Sequence, residues 1–136
     1  MPWGDGVEPV HILMVDDEED FLRIMQKRLS IRSFQVSTAA DGHSALATVR
    51  RCVTGSDNER IDAIILDVLM PGMDGLETLQ QIKTIAPKIP VIMLSGHVAM
   101  DVALEGLNLG AYDYVLKPVD IDKLTAKVNA AIRSAA

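Results

Sequence analysis

One apolar run ends in an acidic residue and a turn, and it constrains the fold more than any other stretch of the chain. Residues 64–66 are isoleucine, isoleucine and leucine; Asp67 follows them, and Pro71 and Gly72 come shortly after. An apolar run bounded by turn residues is typical of a strand buried on both faces of a sheet. The sequence therefore predicts a central strand with Asp67 at its carboxyl end, where open α/β sheets bind their ligands.

Four further strand patterns alternate with helical patterns along the chain. The strand patterns cover residues 10–15, 34–38, 91–94 and 112–116. Apolar residues at helical spacing follow each strand and cover residues 18–30, 42–53, 75–86, 98–109 and 121–132. This alternation predicts an α/β, doubly wound fold. We expect a five-stranded parallel sheet in the flavodoxin-like order 2-1-3-4-5, with five helices.

The 136 residues suit one domain with a sizeable core. We expect a flexible N-terminal arm over residues 1–9, the domain over residues 10–133, and a tail or linker start over residues 134–136. Gly106 interrupts the fourth helix, and an interior glycine costs about 1 kcal/mol relative to alanine. We therefore expect that helix to be the weakest, with Gly110 as its C-terminal cap.

Composition excludes several classes of protein. The formal net charge of −6 argues against direct binding of nucleic acid by this domain. The single cysteine, Cys52, forms no internal disulfide and falls on an apolar helical face, so we expect it in the core. Neither a signal peptide nor a membrane span is visible in the sequence. We expect a cytoplasmic protein that does not contact the membrane.

Charged and hydroxyl side chains follow several of the predicted strands. Asp16 and Asp17 follow the first strand, Asp67 ends the third, Ser95 follows the fourth and Lys117 follows the fifth. Neighbouring carboxylates raise one another's pKa unless a cation neutralises them, and few ligands with open positions suit Mg²⁺. A hydroxyl and an amine suit a phosphoryl group beside that metal. Asp67 is the best-placed nucleophile, and its attack would form an aspartyl phosphate.

Four motifs in this order resemble the receiver domain of two-component response regulators, over residues 10–133. They are Val15-Asp16-Asp17-Glu18, the stretch from Asp67 to Gly75, Leu94-Ser95-Gly96, and Gly110-Ala111-Tyr112-Asp113-Tyr114 leading to Lys117-Pro118. One departure is Arg32-Ser33, where receivers often carry glycine, and a second is Val119, where phenylalanine is common. The first affects only a turn, and the second only the docking of the last helix.

The resemblance implies a role for each acidic residue. Asp67 would accept a phosphoryl group from the phosphohistidine of a sensor histidine kinase or a histidine phosphotransfer protein. Asp17, Asp67 and the Leu69 carbonyl would bind Mg²⁺ directly, and Asp16 would bind it through water.

The resemblance also implies how the signal leaves the site. Ser95 and Lys117 would hold phosphoryl oxygens, the Lys117–Pro118 bond would be cis, and Tyr114 would be the switch aromatic that turns inward. The fourth helix, fifth strand and fifth helix would then contact an output domain or partner protein, or support a phosphorylation-dependent homodimer. The protein would not be an enzyme beyond catalysing its own phosphorylation and dephosphorylation.

Two residues are expected to set the lifetime of the phosphoryl group. Leu69 lies two residues after Asp67 and offers no hydrogen bond to an attacking water. His97 lies two residues after Ser95, and its ring could orient that water. We expect slow self-dephosphorylation, suited to a durable output such as transcription.

Three other interpretations are weaker. A haloacid-dehalogenase-type phosphatase or phosphotransferase places a second aspartate two residues after its nucleophile, where this chain has Leu69. An inactive receiver would have lost an acid or the lysine. A flavodoxin-like redox domain would carry a phosphate loop rich in glycine, serine and threonine in place of Asp16 and Asp17.

Overall fold

The computed structural model describes residues 9–55, 60–70, 74–96 and 99–135. Strands and helices alternate along the chain: β1 (His11–Val15), α1 (Glu19–Ile31), β2 (Gln35–Ala39), α2 (Gly42–Thr54), β3 (Ala63–Asp67), α3 (Gly75–Ile85), β4 (Val91–Ser95), α4 (Met100–Asn108), β5 (Asp113–Leu116) and α5 (Ile121–Ala135). Neighbouring strands are parallel in the order β2-β1-β3-β4-β5. The predicted fold is confirmed. Most of the expected N-terminal arm, residues 1–8, lies outside the described residues.

The strands β1, β3 and β4 bury every residue they contain because helices cover both faces of the sheet. Side chains alternate between faces along a strand. Leu13 and Val15 of β1 accordingly pack in one cluster with residues of α2, α3 and α4. Ile12 and Met14 pack in the other cluster with residues of α1 and α5. Cys52 is partly buried against the first cluster. Within the described residues, no helix is long and apolar enough to cross a membrane.

Gly110 ends α4 as predicted. It has a φ of +109°. The N–H of Ala111 donates to the carbonyl of Gly106 at 2.9 Å, and the N–H of Gly110 donates to that of Leu107 at 3.3 Å. This pair of hydrogen bonds is the Schellman arrangement that favours glycine at the left-handed position.

Gly106 has a packing role that the sequence pattern does not indicate. It is buried in α4, and a Cβ placed on it would lie 3.2 Å from Cγ of Met93 and 3.6 Å from Cδ2 of Leu79. The missing side chain lets α4 lie close to β4. The glycine therefore brings the helix close to the strand that ends at Ser95.

The turn after α1 contains a non-glycine residue at positive φ. Ser33 has a φ of +70°. Its N–H donates to the carbonyl of Ser30, and the N–H of Phe34 donates to that of Leu29. Ser33 therefore occupies the same left-handed cap position in α1 that Gly110 occupies in α4.

Candidate functional site

The register of the sheet brings the candidate residues to one edge. Val15 pairs with Leu66, so Asp16 and Asp67 lie at adjacent strand ends. Asp67 in turn pairs with Leu94, the residue before Ser95. Ser95 pairs with Leu116, the residue before Lys117, and the Lys117 N–H donates to the Ser95 carbonyl at 2.8 Å. Four parallel strands thus deliver these groups to the carboxyl edge of the sheet, as predicted.

Three carboxylates cluster at this edge. Oxygens of Asp16, Asp17 and Asp67 lie within 4.8 Å of one another. Asp16 is fully buried and Asp67 is nearly so, whereas Asp17 is exposed. Burial raises the pKa of Asp67 to about 6, and the nearby charge of Asp16 contributes further. Lys117 and the Leu69 N–H, which donates to Asp67 Oδ1 at 3.2 Å, act in the opposite direction.

Lys117 balances part of this negative charge. Its Nζ lies 2.9 Å from Asp16 Oδ2 and 3.0 Å from Glu18 Oε1, and it sits 4.5 Å from the centre of the Phe21 ring. Burial works to lower the pKa of Lys117, but the contacts with Asp16 and Glu18 outweigh it and raise the pKa. The amine therefore stays charged and points into the cluster.

One buried oxygen at the site lacks a hydrogen bond. The ion pair between Lys117 and Asp16 falls outside hydrogen-bond geometry, so Asp16 Oδ2 receives no hydrogen bond from the described residues. Asp16 Oδ1, in contrast, accepts from the Glu18 N–H at 2.9 Å. A buried oxygen that has an ion pair but no hydrogen bond, within a group of three carboxylates, fits a divalent cation bound directly or through water.

Ser95 ends β4, and Tyr114 lies in the neighbouring strand β5. Ser95 is fully buried, and its hydroxyl donates to the carbonyl of Gly96 at 2.8 Å. Tyr114 is partly buried against the core cluster that contains α4. The ammonium group of Lys127 lies 5.9 Å from the centre of its ring and 2.6 Å from Asp113 Oδ2. The Lys117–Pro118 bond is cis, as expected.

The segment after Asp67 is held closely against α3. The Gly75 N–H donates to the Val68 carbonyl at 3.2 Å, and a Cβ on Gly75 would lie 2.5 Å from Val68 Cα. Between them, Leu69 is 53% exposed at the mouth of the site. His97, the other residue expected to affect the phosphoryl lifetime, lies outside the described residues.

Sequence reasoning missed two contacts of the site. Glu18 was visible only as part of a motif and Phe21 only as part of a helix face, yet both contact Lys117, which is 99 positions from Glu18. The available signal was the helical spacing of α1, which places Phe21, partly buried, against the core cluster of α1 and α5. Nothing in the spacing indicates that Lys117 reaches across to them.

The model of the response regulator receiver domain matches residues 12–129. The chain belongs to this family. As a receiver domain it is a phosphoacceptor signalling switch of two-component systems, and the haloacid-dehalogenase alternative is not supported.

Relatives of this receiver domain are mostly longer proteins. The chain is 39% identical over 125 residues to the transcriptional regulatory protein ZraR of Klebsiella oxytoca, covering 92% of this chain and 27% of the relative. It is 35% identical over 130 residues to the probable transcriptional regulatory protein TcrX of Mycobacterium tuberculosis, covering 96% and 52%. The receiver domain thus spans a quarter to a half of these relatives.

Solved structures place the receiver domain in the same family. A response regulator receiver domain protein from Clostridium thermocellum superposes with a TM-score of 0.82 at 33% identity, covering 92% of this chain and 95% of that one. NtrX from Brucella abortus gives a TM-score of 0.82 at 32% identity, covering 93% and 28%. The second comparison, like the curated relatives, places such a domain within a larger protein.

Proposed function

We propose that Asp67 is the phosphoacceptor and takes its phosphoryl group from the phosphohistidine of a sensor histidine kinase or a histidine phosphotransfer protein. The transfer breaks a P–N bond of the donor and forms a P–O bond to Asp67. The observation that carries this proposal is the position of Asp67: it is buried at the centre of the carboxyl edge, within 4.8 Å of two other carboxylates. Repulsion among these charges disfavours an incoming phosphoryl group unless a cation is bound.

Mg²⁺ is the proposed cofactor. Asp17, Asp67 and the Leu69 carbonyl would hold it, with Asp16 bound through water. When bound, it would neutralise the carboxylates and the phosphoryl oxygens. A nearby cation also lowers the pKa of a carboxyl group, so Asp67, whose pKa is about 6, would become fully ionised and nucleophilic.

Lys117 and Ser95 are the groups proposed to convert phosphorylation into a change of conformation. Lys117 would exchange Asp16 and Glu18 for a phosphoryl oxygen, and the Ser95 hydroxyl would leave the Gly96 carbonyl. Shifting a population from 1:99 to 99:1 requires about 5.5 kcal/mol. Two charge-assisted hydrogen bonds supply roughly 3–6 kcal/mol before the contacts given up with Asp16, Glu18 and Gly96 are subtracted, so they account for only part of this shift.

The signal is proposed to leave through α4, β5 and α5. Tyr114 borders this face, and Gly106 sets how closely α4 approaches β4. In the whole protein the face would contact an output domain, a partner protein or a second copy of the chain. The transcriptional regulators among the relatives support a transcriptional output.

Acetyl phosphate with Mg²⁺ tests the site directly. The wild-type protein should gain about 80 Da, the mass of one phosphoryl group, in intact mass spectra. Asp67→Asn should gain nothing, and EDTA should prevent the gain in wild type. Asp62→Asn, at the opposite edge of the sheet, is the matched control and should be phosphorylated normally. Uptake by Asp67→Asn at the wild-type rate would refute the assignment.

Leu69 is proposed to prolong the phosphorylated state, since its exposed apolar side chain cannot orient an attacking water. After removal of the donor, Leu69→Asn should lose the phosphoryl group several-fold faster than wild type, worth on the order of 1 kcal/mol in the barrier. Leu69→Val, which also lacks a hydrogen-bonding group, is the control. Equal lifetimes for all three proteins would exclude this role.

A further inference from the structure

A cleft of about 410 Å³ opens at the amino edge of the sheet, opposite the phosphoacceptor site. The end of α3 and the turn after it supply Lys83, Pro87 and Lys88, and the segment before β5 and the end of α5 supply Tyr112 and Ser134. The cleft shares no residue with the site around Asp67. It therefore offers chemistry that is independent of phosphorylation.

Lys83 differs from the other paired lysines of the chain. Its Nζ donates to the Ile89 carbonyl at 2.9 Å, and within the described residues it forms no ion pair with a carboxylate. Lys117 and Lys127, in contrast, each contact an aspartate within 3 Å. Burial lowers the pKa of Lys83, and among the described residues no negative charge opposes that effect.

The surroundings of Lys83 hold its side chain along the cleft. A Cβ placed on Gly110 would lie 3.6 Å from Lys83 Cγ and 3.7 Å from its Cε, so the aliphatic stem packs beside the backbone of Gly110. The stem thus lies along Gly110, and the hydrogen bond to the Ile89 carbonyl orients the amine. A partly desolvated, fixed amine is a better nucleophile than a hydrated, flexible one.

We propose that Lys83 is an acylation site that reacts with acyl phosphates. The neutral amine attacks the carbonyl carbon, a C–N bond forms, and the bond from that carbon to the phosphate oxygen breaks. Phosphate leaves with the electron pair, and the nitrogen releases a proton to solvent. Lys88 lines the same cleft and supplies positive charge for the anionic donor.

The cleft also accommodates the product. A secondary amide keeps one N–H, which can still donate to the Ile89 carbonyl that Lys83 contacts now. The acyl group would lie between Tyr112 and the end of α5, which line the same space. Acylation would therefore not leave a buried carbonyl without its partner.

The test uses the Asp67→Asn protein, so that failure of acylation and failure of phosphorylation are separate results. Acetyl phosphate is added without Mg²⁺, and peptide mass mapping follows the gain of about 42 Da, one acetyl group, at each lysine. Lys83 should be modified several-fold faster than the exposed Lys27 and Lys123. Its rate should also level off at a lower pH than theirs, which a merely accessible lysine would not show.

Two variants complete the test. Lys83→Arg should remove the fast-reacting position, and Lys88→Ala should slow modification of Lys83 by acetyl phosphate but not by a neutral acetyl ester. The proposal is overturned if Lys83 reacts no faster than Lys27. It is also overturned if only the neutral ester favours Lys83, because the cleft would then not select acyl phosphates.

Discussion

The buried polar side chains at the two edges of the sheet differ in whether the protein supplies their hydrogen-bond partners. At the amino edge His11 is buried with both ring nitrogens engaged: Nδ1 lies 2.8 Å from the Arg60 carbonyl and Nε2 lies 2.7 Å from Ser37 Oγ. Its backbone N–H donates to Asp62 Oδ2 at 2.9 Å, and Arg60 pairs with Asp62. These polar groups at the amino edge are paired with one another by hydrogen bonds and an ion pair.

At the carboxyl edge, Lys117 compensates only part of the buried negative charge. Asp16 Oδ2 receives no hydrogen bond from the described residues, and burial beside other carboxylates raises the pKa of Asp67. The difference separates stability from function: satisfied buried groups hold the fold, whereas unsatisfied ones require a ligand. Substitutions at the two edges should therefore change stability in opposite directions.

The largest effect is expected at the amino edge. His11→Phe removes a hydrogen bond to the Arg60 carbonyl and another to Ser37, leaving buried groups without partners. The free energy of unfolding should fall by about 2–3 kcal/mol, measured by urea denaturation. His43→Phe, on the exposed surface of α2, is the control and should change it by less than about 0.5 kcal/mol. Equal losses of stability in the two variants would contradict a stabilising role for the hydrogen bonds of His11.

An Asp→Asn substitution is expected to change the free energy of unfolding in opposite directions at the two edges. Without metal at pH 7, Asp67→Asn should stabilise the protein by on the order of 1–2 kcal/mol, because it removes a buried repelling charge. Asp62→Asn should destabilise it by about 1–2 kcal/mol, because it weakens the contacts with His11 and Arg60. If both substitutions destabilise the protein, the charge on Asp67 is compensated in the folded protein and does not reduce its stability.

The stabilisation of the protein by Asp67→Asn should depend on pH. The pKa of Asp67 is about 6 in the folded protein, against an ordinary value of 3.8. Between these values the folded wild type binds more protons than the unfolded chain, so its stability falls as pH rises. The advantage of Asp67→Asn should be absent below about pH 4 and complete above about pH 7.

Denaturation series of both proteins at several pH values measure this profile. Adding Mg²⁺ at pH 7 should then stabilise wild type more than Asp67→Asn, because the cation binds the folded carboxylates. A constant difference between the proteins across the pH range would show that ionisation of Asp67 is not its source.

The smallest effect is expected at the turn after α1. Ser33 has a φ of +70°, which costs a residue with a side chain more than it costs glycine. Ser33→Gly should stabilise the protein by up to about 1 kcal/mol, measured by urea denaturation. Gly55→Ala is the converse control: Gly55 has a φ of +75° with open space around it, so only backbone strain changes. It should destabilise the protein by a similar amount.

The sequence predicts the arrangement of the strands and the composition of the carboxyl edge well. Apolar runs such as residues 64–66 identify buried strands, and parallel strands bring their ends together, so Asp16 and Asp67 become neighbours. The C-terminal end of α4 follows from Gly110, whose conformational freedom is a local property. Each of these predictions depends on residues that are close in sequence or on the alternation of strands and helices.

What the sequence does not predict is which side chains touch across the fold. The contacts of Lys117 with Glu18 and Phe21, and those of His11 with Ser37 and Arg60, join residues far apart in the chain. They depend on side-chain direction and on distances of a few ångströms, which spacing does not determine. The packing of Gly106 against Met93 could not be predicted for the same reason, and the expectation that α4 is the weakest helix stays a prediction.

The hydrogen bond from the Ser95 hydroxyl to the Gly96 carbonyl has a consequence for signalling. Ser95 begins with a partner, so its response to phosphorylation is an exchange of one acceptor for another. The free energy of that exchange is the difference between two hydrogen bonds, roughly 1 kcal/mol when one acceptor is charged. In the role proposed for Ser95, the hydroxyl therefore contributes only this small net free energy, and its present bond to the Gly96 carbonyl orients it until a charged acceptor binds.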